Sequence, residues 1–476
     1  MKLENHQITT PHSSRRDFLK KTSAAFGFTV MPSYLALGRT DAAGNVPPSQ
    51  RINLACIGVG GRANGVIPSL TRTGNAKVVA LCDVDFKVGA GNVKRFPDAK
   101  KYADFRVMLD EMGDDIDAVS VVTPDHTHFV AAMDAMRRGK HVYVEKPLTH
   151  KFLEAELLIK AEKKYKVITQ MGNQGHTSAS SQQFQNLVSK GIVSDITKIE
   201  AWKTPSLWFM DPKKRISEFP PKMPLPDSLN WDLWCGPAKE MPYNRKYAPF
   251  DWRAFYLYGN GMLGDWGAHI IDFAHDWLKL GLPTHIKAIE MTDHNKVIFP
   301  LATKLSMHFP ARGAGLPACD LNWSDGIGCD PQVEEKYWDV DGSGNKKGPN
   351  SGGAGTLLHR KDGKYLVQRG SHSSPSRLYP RIKMKDFGAD MKAKGPEFGH
   401  QESFIQACMG NGTTASPFSV GGELTQVLLL GVICQYLNQN LEFDPKTKQF
   451  KGNDIANAML HGARPRKVWE EFYRLT

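Results

Sequence analysis

The chain has 476 residues, 41% of them hydrophobic and 23% charged. These proportions exclude wholesale disorder and a membrane-embedded bundle and leave room for two or three domains. The net charge of +12 does not mark a nucleic-acid binder, because Lys and Arg are scattered among acids, as in EAELLIKAEKKYK (154–166), without a basic block or aromatic-interleaved stripe.

The N-terminus reads as a targeting segment. Ser14, the twin Arg15 and Arg16, Phe18, Leu19 and Lys20 precede a modest apolar stretch that ends in small residues. This is a bacterial Tat export signal over residues 1–44, which predicts a periplasmic product. Six bases and three acids lie in it, so the remainder carries +9. No later run is read as reaching the roughly 18 apolar residues of a membrane span. Seven cysteines are an odd number for an exported protein. Cys56 and Cys82 fall in predicted strands as buried thiols, and Cys319 and Cys329, in a Gly-rich loop, are the pair expected to form a disulfide.

After a GNVPPSQ linker, INLACIGVG, KVVALCDVD, DAVSVVTPD, HVYVE and VITQMG alternate with helical patterns such as FLEAELLIKAEKKY. That rhythm predicts a doubly wound α/β Rossmann domain over 50–172. A Trp- and Pro-rich stretch (202–258), the helix MLGDWGAHIIDFAHDWLKL, strands from about 284, a Gly/Ser-rich insertion (341–355) and C-terminal helices follow. They predict an α+β domain over 173–476 with a large open, mainly antiparallel sheet. Residues 311–355 read as one long loop, either a lid or surface segment.

The first predicted strand ends in Gly58-Val59-Gly60-Gly61-Arg62-Ala63, a G-x-G-x-x-A turn that lets backbone approach a pyrophosphate at a helix N-terminus. Asp83 closes the next strand, where a carboxylate takes ribose hydroxyls and repels a 2′-phosphate. This favours NAD over NADP, against the attraction of nearby Lys87. In VVTPDHTH, His126 and His128 have no further His or Cys at ligand spacing, so no metal site is read. Thr123, Pro124 and His128 are placed beside the cofactor at the carboxyl edge of the sheet.

In HVYVEKPLTH, Pro147 keeps Lys146 extended at a strand end and suits the start of the next helix. Alone, Glu145 and Lys146 are a solvated pair; at the nicotinamide edge, the ammonium projects into a site. Asp265 and His269, four apart, share a helical face, where the acid would orient the imidazole and favour its charged form. Gly259, Gly261, Gly264 and Gly267 crowd this segment, as close approach requires.

Together GVGGRA, CDVD, VTPDHTH, VEKPLTH, MGNQGH, WRAFYLYGNGMLGDWGAHIID and the helical tail resemble the Gfo/Idh/MocA oxidoreductase family, named for glucose-fructose oxidoreductase and inositol dehydrogenase. The resemblance implies Lys146, Asp265 and His269 as the catalytic group, with Gly58, Gly60, Gly61, Arg62, Asp83, Thr123, Pro124, His128, Glu145 and Lys146 around the cofactor. His269 would take a hydroxyl proton while hydride passes to nicotinamide C4 and Lys146 steadies the alkoxide. It also implies dimer packing through the C-terminal sheet, hence a homodimer or homotetramer. Ala63 stands where many relatives have Gly, and the long 311–355 segment departs from the family pattern. Asn173, Gln174, His176, Trp252, Arg253 and Tyr256 are placed on the substrate side. Three readings follow: an NAD-dependent sugar or polyol oxidoreductase with tightly held cofactor, a redox-neutral glycoside-cleaving or epimerising enzyme, and a non-catalytic sugar-binding protein with a structural nucleotide.

Overall fold

Two sheets share one core. The computed structural model describes residues 50–475 except 206, 207, 210, 314, 350 and 351, so the export signal read over 1–44 lies outside the described residues. The first sheet contains β1 (Ile52–Ile57), β2 (Ala76–Cys82), β3 (Lys100–Tyr102), β4 (Ala118–Val121), β5 (His141–Val144) and β6 (Thr169–Met171), all parallel, in the order β3-β2-β1-β4-β5-β6. Its central strands are apolar because both faces are covered; all four residues of β4 are buried. Helices α1 (Ala63–Thr71), α2 (Ala90–Arg95), α3 (Phe105–Met112), α4 (Asp125–Arg137) and α5 (Phe152–Tyr165) connect the strands. The strand order reverses between β1 and β4, which opens the ligand crevice of such sheets at their carboxyl ends.

The second layer is a nine-stranded mixed sheet. It is built from β7 (Ile196–Lys203), β8 (His285–Thr292), β9 (Ala302–Phe309), β10 (Cys319–Asp325), β13 (Ala354–Arg360), β14 (Leu366–Gly370), β15 (Arg377–Tyr379), β16 (Leu441–Asp444) and β17 (Gln449–Phe450). A two-stranded ribbon, β11 (Asp339–Val340) with β12 (Lys346–Lys347), stands apart. Pairing is antiparallel except between β7 and β10. Strict alternation along β9 sends Thr303, Leu305, Met307 and Phe309 inward and leaves the other face polar, as with His308 against Asp320 at 2.7 Å. The helices around it are α6 (Ala179–Ser189), α7 (Trp231–Cys235), α8 (Gly261–Ile270), α9 (Asp272–Trp277), α10 (Lys383–Asp386), α11 (His400–Cys408), α12 (Phe418–Leu437) and α13 (Asp454–His461).

Helix α12 joins the layers. Residues such as Leu428 and Leu430 sit in the same core cluster as Val119 of β4 and Leu305 of β9. Its backbone comes close enough to the second sheet that a Cβ at Gly431 would lie 2.5 Å from Met307 Cε and 2.4 Å from Leu263 Cδ2. With 20 residues and a mean hydropathy of 1.4 over an 18-residue stretch, α12 is long and apolar enough to cross a membrane, contrary to the sequence reading. Here it is mostly buried, packed against α5 and α8.

The change of sheet follows the boundary expected at residue 172, between β6 and β7, while the packing of the two layers is continuous. Residues from Ile52 onward form one unit, because the end of the chain returns to the first sheet. Helix α11 packs on α1, with Glu402 accepting from Thr73 and Asn75 at 2.7 Å. A 3-10 turn at Lys467–Tyr473 places Trp469 and Phe472 on Phe105 and Tyr473 on Phe129. Next, residues 311–355 are no single loop: β10 lies inside them, and Tyr337 packs with Trp202, Leu357, Leu366 and Tyr379. Alternating Cys319, Leu321 and Trp323 gave a strand signal that the neighbouring glycines obscured.

The Cys319–Cys329 disulfide is also absent. Both thiols are free and buried, because Cys319 starts β10 while Cys329 lies beyond its other end; an extended strand of that length separates its ends by about 20 Å. Burial pushes both thiols up, Cys319 to about 12 and Cys329 to about 11.

If the tail belongs to the first layer, Phe472→Ala should cost about 3–5 kcal/mol in one cooperative urea transition. A loss confined to a separate minor transition would contradict that packing.

Candidate active site

The crevice at the carboxyl ends of β1, β4 and β5 opens into a cavity of about 790 Å³. One end is the glycine turn. Gly58 adopts φ +78°, and a Cβ there would lie 2.4 Å from Val122 O. Gly61, with φ +50°, has nothing within 4 Å of the corresponding position, so open space lies over the backbone where a pyrophosphate would rest. Asp83 lines this end. Its two oxygens accept from Val59 N at 2.7 Å and Asp85 N at 2.9 Å, which fixes the turn and leaves further lone pairs for ribose hydroxyls. Gly60, Arg62, Thr123, Pro124 and Lys87 border the same space. These residues fit a dinucleotide.

Glu145 closes the floor. Its Oε1 accepts from Gln174 Nε2 at 2.9 Å and Tyr143 Oη at 3.4 Å, with Arg62 Nε at 3.5 Å. Burial raises its pKa, against the pull of Arg62 and Lys146. Lys146 follows at the strand end and reaches Asp265, with Nζ 2.6 Å from Oδ1 and 2.8 Å from the backbone O. The strand ends at Val144, and the helix expected to begin at Pro147 starts only at Phe152.

Helix α8 differs from the sequence expectation in one respect. Asp265 and His269 do share the cavity wall, yet Asp265 directs its carboxylate to Lys146 and, at 3.6 Å, to Arg253 Nε. Burial pushes its pKa up, but the two cations hold it below the ordinary value. His269 Nδ1 is buried without a partner, and burial, then Lys146 and His372, pull its pKa well below the usual imidazole value. The imidazole is therefore neutral at pH 7 and available as a proton acceptor, rather than charged by Asp265.

His372 is a member that the sequence reading missed. Its ring stacks on His269 with centroids 3.8 Å apart and lies edge-on to Trp266 at 5.6 Å. It follows β14 in GSHSS at φ +54°, and buried Arg369 donates to its carbonyl. A single His in a small-residue loop carries no spacing signal; only the fold brings it to α8.

Trp252 and Arg253 line the cavity as expected, with Arg253 4.2 Å over the Trp252 ring. Four other placements are corrected. His128 does not border the cavity. Its ring nitrogens lie 2.9 Å from Pro147 O and 2.8 Å from Thr123 O, so it braces the two loops from behind. His126 similarly spans Tyr258 O and Trp234 O. For both rings burial dominates and lowers the pKa to about 4. The 3-10 turn after β6 points Gln174 to Glu145 but turns Asn173 and His176 to Asp272, at 3.0 and 2.8 Å. Tyr256 packs instead on Phe299 and Tyr436.

Comparison with known proteins agrees with this architecture. A model described as an oxidoreductase family with an NAD-binding Rossmann fold matches residues 52–173, and one for its C-terminal alpha/beta domain matches 179–287. A glycosyl hydrolase family 109 protein of Shewanella sp. (strain ANA-3) is 32% identical over 154 residues, covering 28% of this chain and 33% of that protein. An inositol 2-dehydrogenase of Burkholderia multivorans is 35% identical over 114 residues, covering 22% and 33%. The match thus spans about a third of the length of these curated relatives. The WlbA dehydrogenase of Chromobacterium violaceum, solved with NADH and UDP-GlcNAcA, shares the fold at TM-score 0.55 and 16% identity over 84% of this chain and 97% of that one. The aldose-aldose oxidoreductase of Caulobacter crescentus does so at 0.51 and 15%, over 83% and 100%.

Gly58→Ala forces a side chain into left-handed backbone against a carbonyl, at a cost of at least about 1–2 kcal/mol. Nucleotide recovered per chain after denaturation should fall sharply; unchanged recovery would remove the turn from the binding site.

Proposed function

Because the chain belongs to the Gfo/Idh/MocA oxidoreductase family, we propose that it is an NAD-dependent oxidoreductase acting on a hydroxyl of a sugar, sugar derivative or polyol. The observation that carries this reading is the meeting of Lys146 with Asp265 at 2.6 Å, on the helix that also presents His269, in the cavity that begins at the glycine turn. Bound NAD would supply the hydride acceptor; Gly58, Gly60, Gly61, Asp83 and Glu145 would hold it. The neutral His269 accepts the proton of the substrate hydroxyl. Lys146, held by Asp265, places its ammonium where negative charge develops on that oxygen. Trp252 and Trp266 offer aromatic faces to a sugar ring.

Export through the Tat route belongs to the same proposal and makes a retained cofactor the consistent arrangement, since a folded protein can carry its nucleotide out of the cytoplasm. A homodimer or homotetramer packed through the polar face of the nine-stranded sheet completes it.

His372 favours a second reading. Oxidation of one ring carbon acidifies the adjacent C–H, elimination of a glycosidic oxygen then needs another base, and addition of water followed by return of the hydride to the keto carbon would close a redox-neutral cycle. A second neutral imidazole stacked on His269 is in the right place for the elimination. Similarity to glycosyl hydrolase family 109 proteins accords with it. Turnover of a glycoside with no added NAD distinguishes this cycle from net oxidation.

Two outcomes test the site. Lys146→Ala should lower turnover by about 10²-fold or more while the protein still releases its nucleotide on denaturation; undiminished turnover would refute the role. Because the pKa of His269 is depressed, its basic form persists as pH falls, so the acid limb of kcat/KM should lie below the usual imidazole value of 6.5. A limb at or above that value would assign the proton acceptor elsewhere.

A further inference from the structure

Close to Asp265 the cavity wall contains another carboxyl group, to which the mechanism assigns no task. Asp125, the first residue of α4, is 3% exposed and borders the same cavity as Lys146, Arg253 and Asp265. Both of those cations turn to Asp265, at 2.6 and 3.6 Å. Among the described residues Asp125 has no ion pair; its partner is an amide, Asn260, which donates from Nδ2 to Oδ2 at 3.0 Å. Asn260 also donates to Thr149 O at 3.1 Å, and its own Oδ1 is buried without a partner.

A carboxylate in this position would be desolvated, would face the charge of Asp265, and would have one neutral donor to support it. A carboxylic acid there loses none of that support and gains an O–H. The N-terminus of α4 favours the anion, as do Arg253 and Lys146, but burial first and Asp265 second outweigh them and raise the pKa to about 8.

We propose that Asp125 is a protonated carboxylic acid at neutral pH and donates a hydrogen bond to a substrate oxygen in the cavity, making it a specificity-determining residue of the site. It would meet an oxygen with a free lone pair, such as a ring hydroxyl or the keto oxygen formed on oxidation. The substrate half of this inference rests on the proposed function; the protonation state does not. A residue that merely anchored Asn260 would be replaced by asparagine without effect on any pH profile, because the amide oxygen can accept the same hydrogen bond.

Infrared difference spectra of wild-type and Asp125→Asn holoenzyme test the first half. A carboxylic-acid carbonyl band should be present in wild type at neutral pH, absent from the variant, and fade as pH rises. Its absence at neutral pH overturns the inference. Should the variant fail to fold, Asn260→Ser serves in its place: loss of the donor to Oδ2 should move the fading of the band to higher pH, and an unmoved band overturns the assignment to Asp125. For the second half, kcat/KM should fall about tenfold per pH unit above the midpoint of the band in wild type and stay flat in Asp125→Asn, whose amide donates but does not titrate. The same alkaline limb in both proteins overturns the donor role. If no sugar or polyol is turned over at all, the proposed function fails, while the infrared band still decides the protonation state.

Discussion

An ammonium and a carboxylate withdrawn from water must face each other, and the pairing of Lys146 with Asp265 sets that requirement at the junction of the two layers. Lys146 lies just beyond β5 of the first sheet, while Asp265 sits on α8, which packs on α12 beneath the second. Neither side chain is more than 16% exposed, so loss of either partner would strand a charge that the surroundings cannot hydrate. Lys146 also bonds the backbone carbonyl of Asp265. That carbonyl is the acceptor that helical geometry assigns to the N–H of residue 269. One ammonium therefore fixes both the acid and the turn of helix that carries the imidazole.

Around this pair the wall divides its groups by charge. Lys146 and Arg253 stay with Asp265, and burial keeps His269 and His372 neutral. Ring nitrogens behind the wall face backbone carbonyls: His128 lies against Thr123 and Pro147, and Nε2 of His150 lies within hydrogen-bond distance of the carbonyls of Tyr256 and Gly259. Nδ1 of His269 and Oδ1 of Asn260, by contrast, are buried without such a partner.

Much of this could be read from residue order. Strand and helix periodicity located all six strands of the first sheet apart from the short β3, and the glycine turn, Asp83, Lys146, Asp265 and His269 fall on one cavity. Local pattern failed where contacts are distant. Asn173 and His176 lie one residue either side of Gln174 and its neighbour Gly175, yet face α9 because the turn after β6 is a tight 3-10 helix. The same holds for His372, which comes from the loop after β14, and for Asp265, whose choice of partner depends on a lysine 119 residues away. Glycine-rich surroundings concealed β10, since such composition signals turns regardless of the short strand within.

The return of the C-terminus has a further consequence for biosynthesis. Trp469 borders the same cavity as the glycine turn near the start of the fold, so the wall of the nucleotide crevice is finished only when residues 467–473 have joined the first layer. A chain whose synthesis stops early exposes Phe105 and Phe129, which the tail otherwise covers. Docking of this segment is thereby coupled to completion of the crevice, although more than 350 residues separate the two in the chain.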